Sequence, residues 1–122
     1  MNTLTSQQIG LLVLRFGLAA VFLWFGFSQL FDGINWVAWV PDWAVSLLHL
    51  PPAMIVLGNG LFEVVLGTLL ALGVRTTPVA YILALHLFII VVDIGLTAVG
   101  VRDFGLMMAV LALGLLSRKV GP

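Results

Sequence analysis

Four ionisable side chains stand inside long apolar stretches, where charge is least expected: Arg15, Glu63, His86 and Asp93. A charged group at membrane depth costs about 2.5–3.5 kcal/mol on insertion scales, so such groups rarely face lipid and usually pair. Helical spacing gives each of them company. Arg15, Leu18, Phe22, Gly26 and Gln29 fall on one stripe; Asn59, Glu63, Gly67 and Ala71 follow at successive i+4 steps; His86 and Asp93 are seven apart on one face. Small residues let helix backbones approach and polar ones bond across the contact, so these stripes are expected to meet in a bundle interior.

The candidate pocket residues are Arg15, Glu63, His86 and Asn59. The length of an arginine side chain predicts an inner cluster of Arg15 and Glu63, with His86 as a third member. Gln29, Asp93, Arg102 and Asp103 are expected to form an outer polar cluster, on the side to which Asn59 also belongs. In it, Asp93 and Arg102 are charge partners across the outer turn between helices three and four. The chemistry open to such groups is a polar pocket for a small substrate or a quinone head group, or a proton path. An architectural role suits them as well: a buried Arg15–Glu63 pair can fix helix register, His86 can satisfy an interhelical hydrogen bond, and Asp103 fits the acid-favouring first turn of a helix. One midspan His with scattered carboxylates is no metal signature. With no Cys, the chain has no disulfide, thiolate site or thiol redox chemistry of its own. No residue stands out as catalytic.

The elements that must position these residues follow from composition. Of 122 residues, 62% are apolar and 8% charged, against roughly 25% charged in a soluble domain. So few charges cannot cover a water-facing surface, and the chain reads as an integral membrane protein. Its five basic and five acidic residues leave no excess to neutralise phosphates, which excludes nucleic-acid binding. Four segments approach the ~20 apolar residues that span a bilayer: about Ile9–Phe31, Ala53–Gly73, Pro78–Val99 and Asp103–Leu116, the last bounded by Ser117 and so short that it either thins the bilayer or starts within Val99-Gly100-Val101. Backbone groups in lipid must be satisfied internally, so the segments are helices. The predicted fold is an all-α bundle of four transmembrane helices, one domain over residues 1–122. A short interfacial segment, Trp36–Leu50, joins helices one and two. Its tryptophans, Trp36, Trp39 and Trp43, are read chiefly as headgroup anchors. A tight turn, Val74 to Pro78, joins helices two and three, with Gly73 as a C-cap.

Arg75, Arg118 and Lys119, with Arg15 close by, mark one side of the membrane. The other side has Arg102 alone, beside Asp32, Asp42 and Asp103. The positive-inside rule then puts both termini in the cytoplasm, with the Trp-rich link outside. The first span lacks a basic n-region and contains Arg15, so it is expected to remain in the mature protein. A weak internal echo, Leu70-Ala71-Leu72-Gly73 against Leu111-Ala112-Leu113-Gly114, suits either two related hairpins or coincidence.

Several short patterns resemble the DoxX family of small four-helix membrane proteins. Leu14-Arg15-Phe16-Gly17-Leu18, followed by Phe25-Gly26-Phe27-Ser28-Gln29-Leu30, is similar to the family's Arg-x-x-x-Gly opening and Gly-x-x-Lys-Leu close, with Gln29 where Lys is common. Glu63-Val64-Val65-Leu66-Gly67, then Leu72-Gly73-Val74-Arg75, looks like its Glu-x-x-x-Gly stretch and basic turn. Arg102-Asp103 also fits, so the resemblance spans nearly the whole chain. It implies membership of systems such as thiosulfate:quinone oxidoreductase or oxidative-stress assemblies, and it singles out Arg15, Glu63 and Asp103. The leading expectation is a membrane subunit of a redox system in a prokaryotic plasma membrane. A quinone is its candidate cofactor, with none covalently bound. Its expected contacts are the lipid bilayer and either a partner redox subunit or further copies of itself. The alternatives are a small homodimeric transporter or channel, and a scaffold without chemistry.

Overall fold

The computed structural model describes residues 3–118; Lys119, part of the predicted basic end, lies outside them. Six helical elements follow one another: α1 (Ser6–Phe31), a 3-10 helix (Gly33–Trp39), α2 (Asp42–Leu48), α3 (Pro52–Leu72), α4 (Thr76–Ile94) and α5 (Ala98–Leu116). No strand occurs among the described residues. Local chemistry sets the boundaries. Thr5 and Gln8 form a reciprocal capping box that starts α1 three residues earlier than the hydrophobic pattern suggests. Gly73, left-handed at φ 72°, ends α3 as expected.

The outer turn between α4 and α5 departs from the prediction. Gly95 adopts φ 76° and ψ −152°, a region that only glycine visits without strain, and it ends α4 five residues before the expected Val99. Thr97 then caps α5 by accepting from the Gly100 amide at 3.0 Å. Helix α5 therefore begins at Ala98, so Arg102 and Asp103 sit in its second turn and no acid occupies its first. Trp36–Leu50, expected as one interfacial piece, is two short helices that break at Val40 and Pro41.

Helices α1, α3, α4 and α5 are each long and apolar enough to cross a membrane. They have 26, 21, 19 and 19 residues; at ~1.5 Å per residue even the shortest reaches about 28 Å, close to the hydrocarbon thickness. In none does more than 28% of the apolar stretch lie buried inside the protein. Side chains such as Val13, Trp24, Leu85 and Val92 point outward, as a lipid-facing surface requires. The protein is an integral membrane four-helix bundle.

Two antiparallel pairs make up the bundle. Helix α1 packs closely on α3, and α4 on α5; the pairs meet more loosely through α1 against α5 and α3 against α4. Glycine sets the first pair. A Cβ on Gly60 would lie 2.9 Å from the Gly26 carbonyl oxygen, and one on Gly26 would lie 2.9 Å from that of Gly60, so only two glycines allow this crossing. Leu70, Leu83, Val110 and Leu113 fill the interior of the half in which α1 begins and α5 ends, the inner half, and are fully buried; the half at the α4–α5 turn is the outer half. In the outer half the two pairs leave a cavity between them. The internal echo has no conformational counterpart, since Gly73 ends α3 whereas Gly114 lies within α5 against Tyr81.

Candidate functional site in the outer half of the bundle

Glu63 is the twelfth residue of α3, in the middle of the membrane, and only 5% exposed. It belongs to the buried face of α3, with Val56, Gly60, Gly67 and Leu70. The Gly26–Gly60 crossing brings the last turn of α1 against this face, which delivers Gln29. Gln29 Nε2 donates to Glu63 Oε2 at 3.4 Å. Asn59 Nδ2, one turn before Glu63, lies 2.6 Å from Gln29 Oε1 and 3.3 Å from Glu63 Oε1. From α4, His86 Nε2 approaches the same Oε1 at 3.4 Å, and its ring packs on Phe62 at 4.8 Å between centroids. One carboxylate thus gathers donors from three side chains on three helices. Among the described residues no buried side-chain nitrogen or oxygen lacks a partner, as a low-dielectric interior demands.

The network faces a cavity of about 500 Å³ whose lining is mostly apolar. Trp36, Trp39 and Trp43 of the outer link close over it, with Ala44 buried beneath them. Two bonds fasten this roof: Trp36 Nε1 donates to Ser28 Oγ at 3.0 Å, and Trp43 Nε1 to Asp93 Oδ1 at 3.0 Å. On the far wall Asp103 is 7% exposed and bonded through one oxygen only: Oδ1 accepts from Arg102 Nε at 3.2 Å and Nη2 at 3.1 Å. Its Oδ2 has no partner and is not sealed off, and Asp103 is one of the residues that line the cavity. Arg102 itself is half exposed, and its guanidinium covers the Phe25 ring at 5.2 Å.

Two expected pairings are absent. Arg15 does not meet Glu63. Its guanidinium lies against Gly73 at the inner end of α3, ten residues and about 15 Å of helix rise from Glu63. The cause is register: α1 runs some ten residues beyond α3 at the inner end, so Gln29, not Arg15, comes level with the carboxylate. Asp93 does not pair with Arg102 either. The early start of α5 carries Arg102 past the turn to Asp103 and Phe25, and Asp93 accepts from Trp43 instead. The expected inner and outer clusters are also redrawn: Gln29 and Asn59 of the outer set join Glu63 and His86 in one network. The tryptophans, read as anchors, line the site, Trp36 and Trp39 from the 3-10 helix and Trp43 from α2.

The DoxX family model matches residues 10–96, more than half of the sequence. The chain belongs to the DoxX family. The match contains Gln29, Asn59, Glu63, His86 and Asp93 of this DoxX protein and stops short of Arg102 and Asp103, so the acid on α5 lies outside it. No curated protein and no solved structure gives a significant match.

Proposed function

We propose that this DoxX protein is a membrane subunit of a redox system and that its outer cavity receives a quinone head group. The observation that carries this reading is the buried Glu63 with its amide and imidazole neighbours, set at one end of an apolar, aromatic-roofed cavity. At about 500 Å³ the cavity lies within the roughly 300–1,000 Å³ usual for small-molecule sites. A quinone head group is flat and apolar, with two carbonyl oxygens that need donors. Asn59, Gln29 and His86 offer N–H groups. Glu63 and the open Oδ2 of Asp103 are carboxylates able to hold and release protons. When bound, a quinone supplies two-electron, two-proton chemistry. The chain has no cysteine, so electrons would come from a partner subunit. The setting is the plasma membrane of a prokaryote with both termini cytoplasmic, which puts the cavity in the outer half. A transporter is less well supported, because the leucine and valine packing of the inner half offers no polar continuation of the site.

The test is purification in mild detergent followed by mass spectrometry of retained quinones and protein partners, with a short-chain quinone then titrated against tryptophan fluorescence. Saturable quenching is expected in the wild type. Glu63→Gln should weaken quenching by the reduced form, the quinol, about tenfold, because a quinol hydroxyl donates to the carboxylate and that charge-assisted hydrogen bond is worth ~1.5 kcal/mol. Recovery of bulk lipid alone, with no saturable quenching, would sink the proposal and favour a scaffold.

A further inference from the structure

Arg15 takes no part in the cavity, and its surroundings form a second site. All five acidic residues, Asp32, Asp42, Glu63, Asp93 and Asp103, lie from mid-helix outward, whereas Arg15, Arg75 and Arg118 lie at the inner end. Among the described residues that end therefore has cations without side-chain carboxylates. Arg15 makes no ion pair or hydrogen bond with any described residue; its guanidinium stands against Gly73 and over the Phe16 ring at 4.8 Å. A guanidinium has five N–H donors and no acceptor, so near the membrane boundary it calls for an anion.

The ten-residue overhang of α1 supplies the rest. Between it and the inner ends of α4 and α5 runs a groove of about 310 Å³. Arg15, Gln8 and the hydroxyl residues Thr76 and Ser117 are its polar groups, and Leu11, Leu12 and Leu113 are among its apolar walls. Thr76 opens α4, whose N-terminus has no side-chain cap and so presents free N–H groups and the positive end of a helix dipole. Arg15 is level with the inner ends of α3 and α4, so the groove opens at the end of the bundle; Leu113 lies on the bundle side of the charge, and Leu11 and Leu12 lie on the overhang beyond it.

We propose that this inner groove binds the phosphate of an anionic phospholipid, with Arg15 as the phosphate-binding side chain and Leu113, on the bundle side of it, against the first part of an acyl chain. Arginine suits phosphate because its fork can donate two parallel bonds. The site is separate from the quinone cavity and does not depend on any redox role.

The experiment reconstitutes the full chain into vesicles of phosphatidylcholine alone or with phosphatidylglycerol, extracts it gently and counts retained lipid by native mass spectrometry. The wild type should retain phosphatidylglycerol in preference to phosphatidylcholine. Arg15→Gln should cut that retention about fivefold, the effect of losing one basic contact near an anionic surface. Arg118→Gln, exposed and outside the groove, should leave it nearly unchanged. In a parallel arm, inorganic phosphate added to the detergent-solubilised wild type should not reproduce the thermal stabilisation given by phosphatidylglycerol. Equal retention of the two lipids by the wild type, equal effects of the two substitutions, or full stabilisation by inorganic phosphate would each overturn the assignment. Should Arg15→Gln fail to fold, the two wild-type comparisons still decide it. None of these readouts involves quinone, so this proposal and the redox reading fail separately.

Discussion

At the scale of single residues, the interior of this DoxX protein is organised by one carboxylate. Glu63 accepts from Gln29, Asn59 and His86, and each contact to it is 3.3 Å or longer, whereas the amide pair Asn59–Gln29 closes to 2.6 Å. The amides lock to each other and leave the carboxylate loosely held, with capacity for a further donor from the cavity. Removing the acceptor should hurt more than neutralising it. Glu63→Ala takes the acceptor from the buried Gln29 amide and the partly buried His86, and each group left unpaired costs about 1–3 kcal/mol. Glu63→Gln keeps an acceptor oxygen and should lose markedly less. Thermal unfolding of both variants in one detergent checks the order; equal stability of Glu63→Ala and the wild type would show that the network holds nothing together.

At the scale of elements, the site depends on one crossing. Gly26 and Gly60 bring α1 and α3 within backbone contact, and that approach sets Gln29 beside Asn59. A side chain at Gly60 would meet the Gly26 carbonyl and the Gln29 Cβ at 2.9 and 3.0 Å, neither of which can swing aside. Gly60→Val should therefore push the helices apart, at a cost of about 1–3 kcal/mol for overpacking, and break the Gln29–Asn59 bond. Gly58, two residues away, has open space where a Cβ would stand; Gly58→Ala should be neutral or gain up to about 1 kcal/mol of helix stability. Melting temperatures of the two variants, with quinone-dependent quenching as a second readout, separate a site lost through misplaced Gln29 from one left intact.

At the scale of the whole molecule, the loose seam between the α1–α3 pair and the α4–α5 pair makes the cavity, and the charges divide along the membrane normal. The basic end carries the groove beside Arg15; the acidic end carries the roofed cavity. If the positive-inside rule orients the chain, the basic end faces the cytoplasm. The absence of native cysteine makes this directly measurable. Ser117→Cys should resist a membrane-impermeant maleimide applied to intact cells, and Leu96→Cys, at a position 99% exposed in the outer turn, should react fully. The reverse pattern would invert the topology and place the cavity on the cytoplasmic side.

The amino-acid sequence determined the four apolar helices, because bilayer thickness and backbone hydrogen bonding leave a chain of this composition little other choice. It also brought Glu63 and His86 together: a tight turn at Val74 and Arg75 forces residues equally distant from it on α3 and α4 to face each other. The membership of Gln29, the removal of Arg15 and the partner of Asp93 were decided only by the tertiary structure. The chain reaches from α1 to α3 through a long link of two short helices, which fixes no register; that register comes from the Gly26–Gly60 contact, a matter of shape that residue spacing along one helix does not encode. The Arg102–Asp103 pair turned on where Gly95 stops α4, a single backbone conformation that displaced both residues by more than a turn.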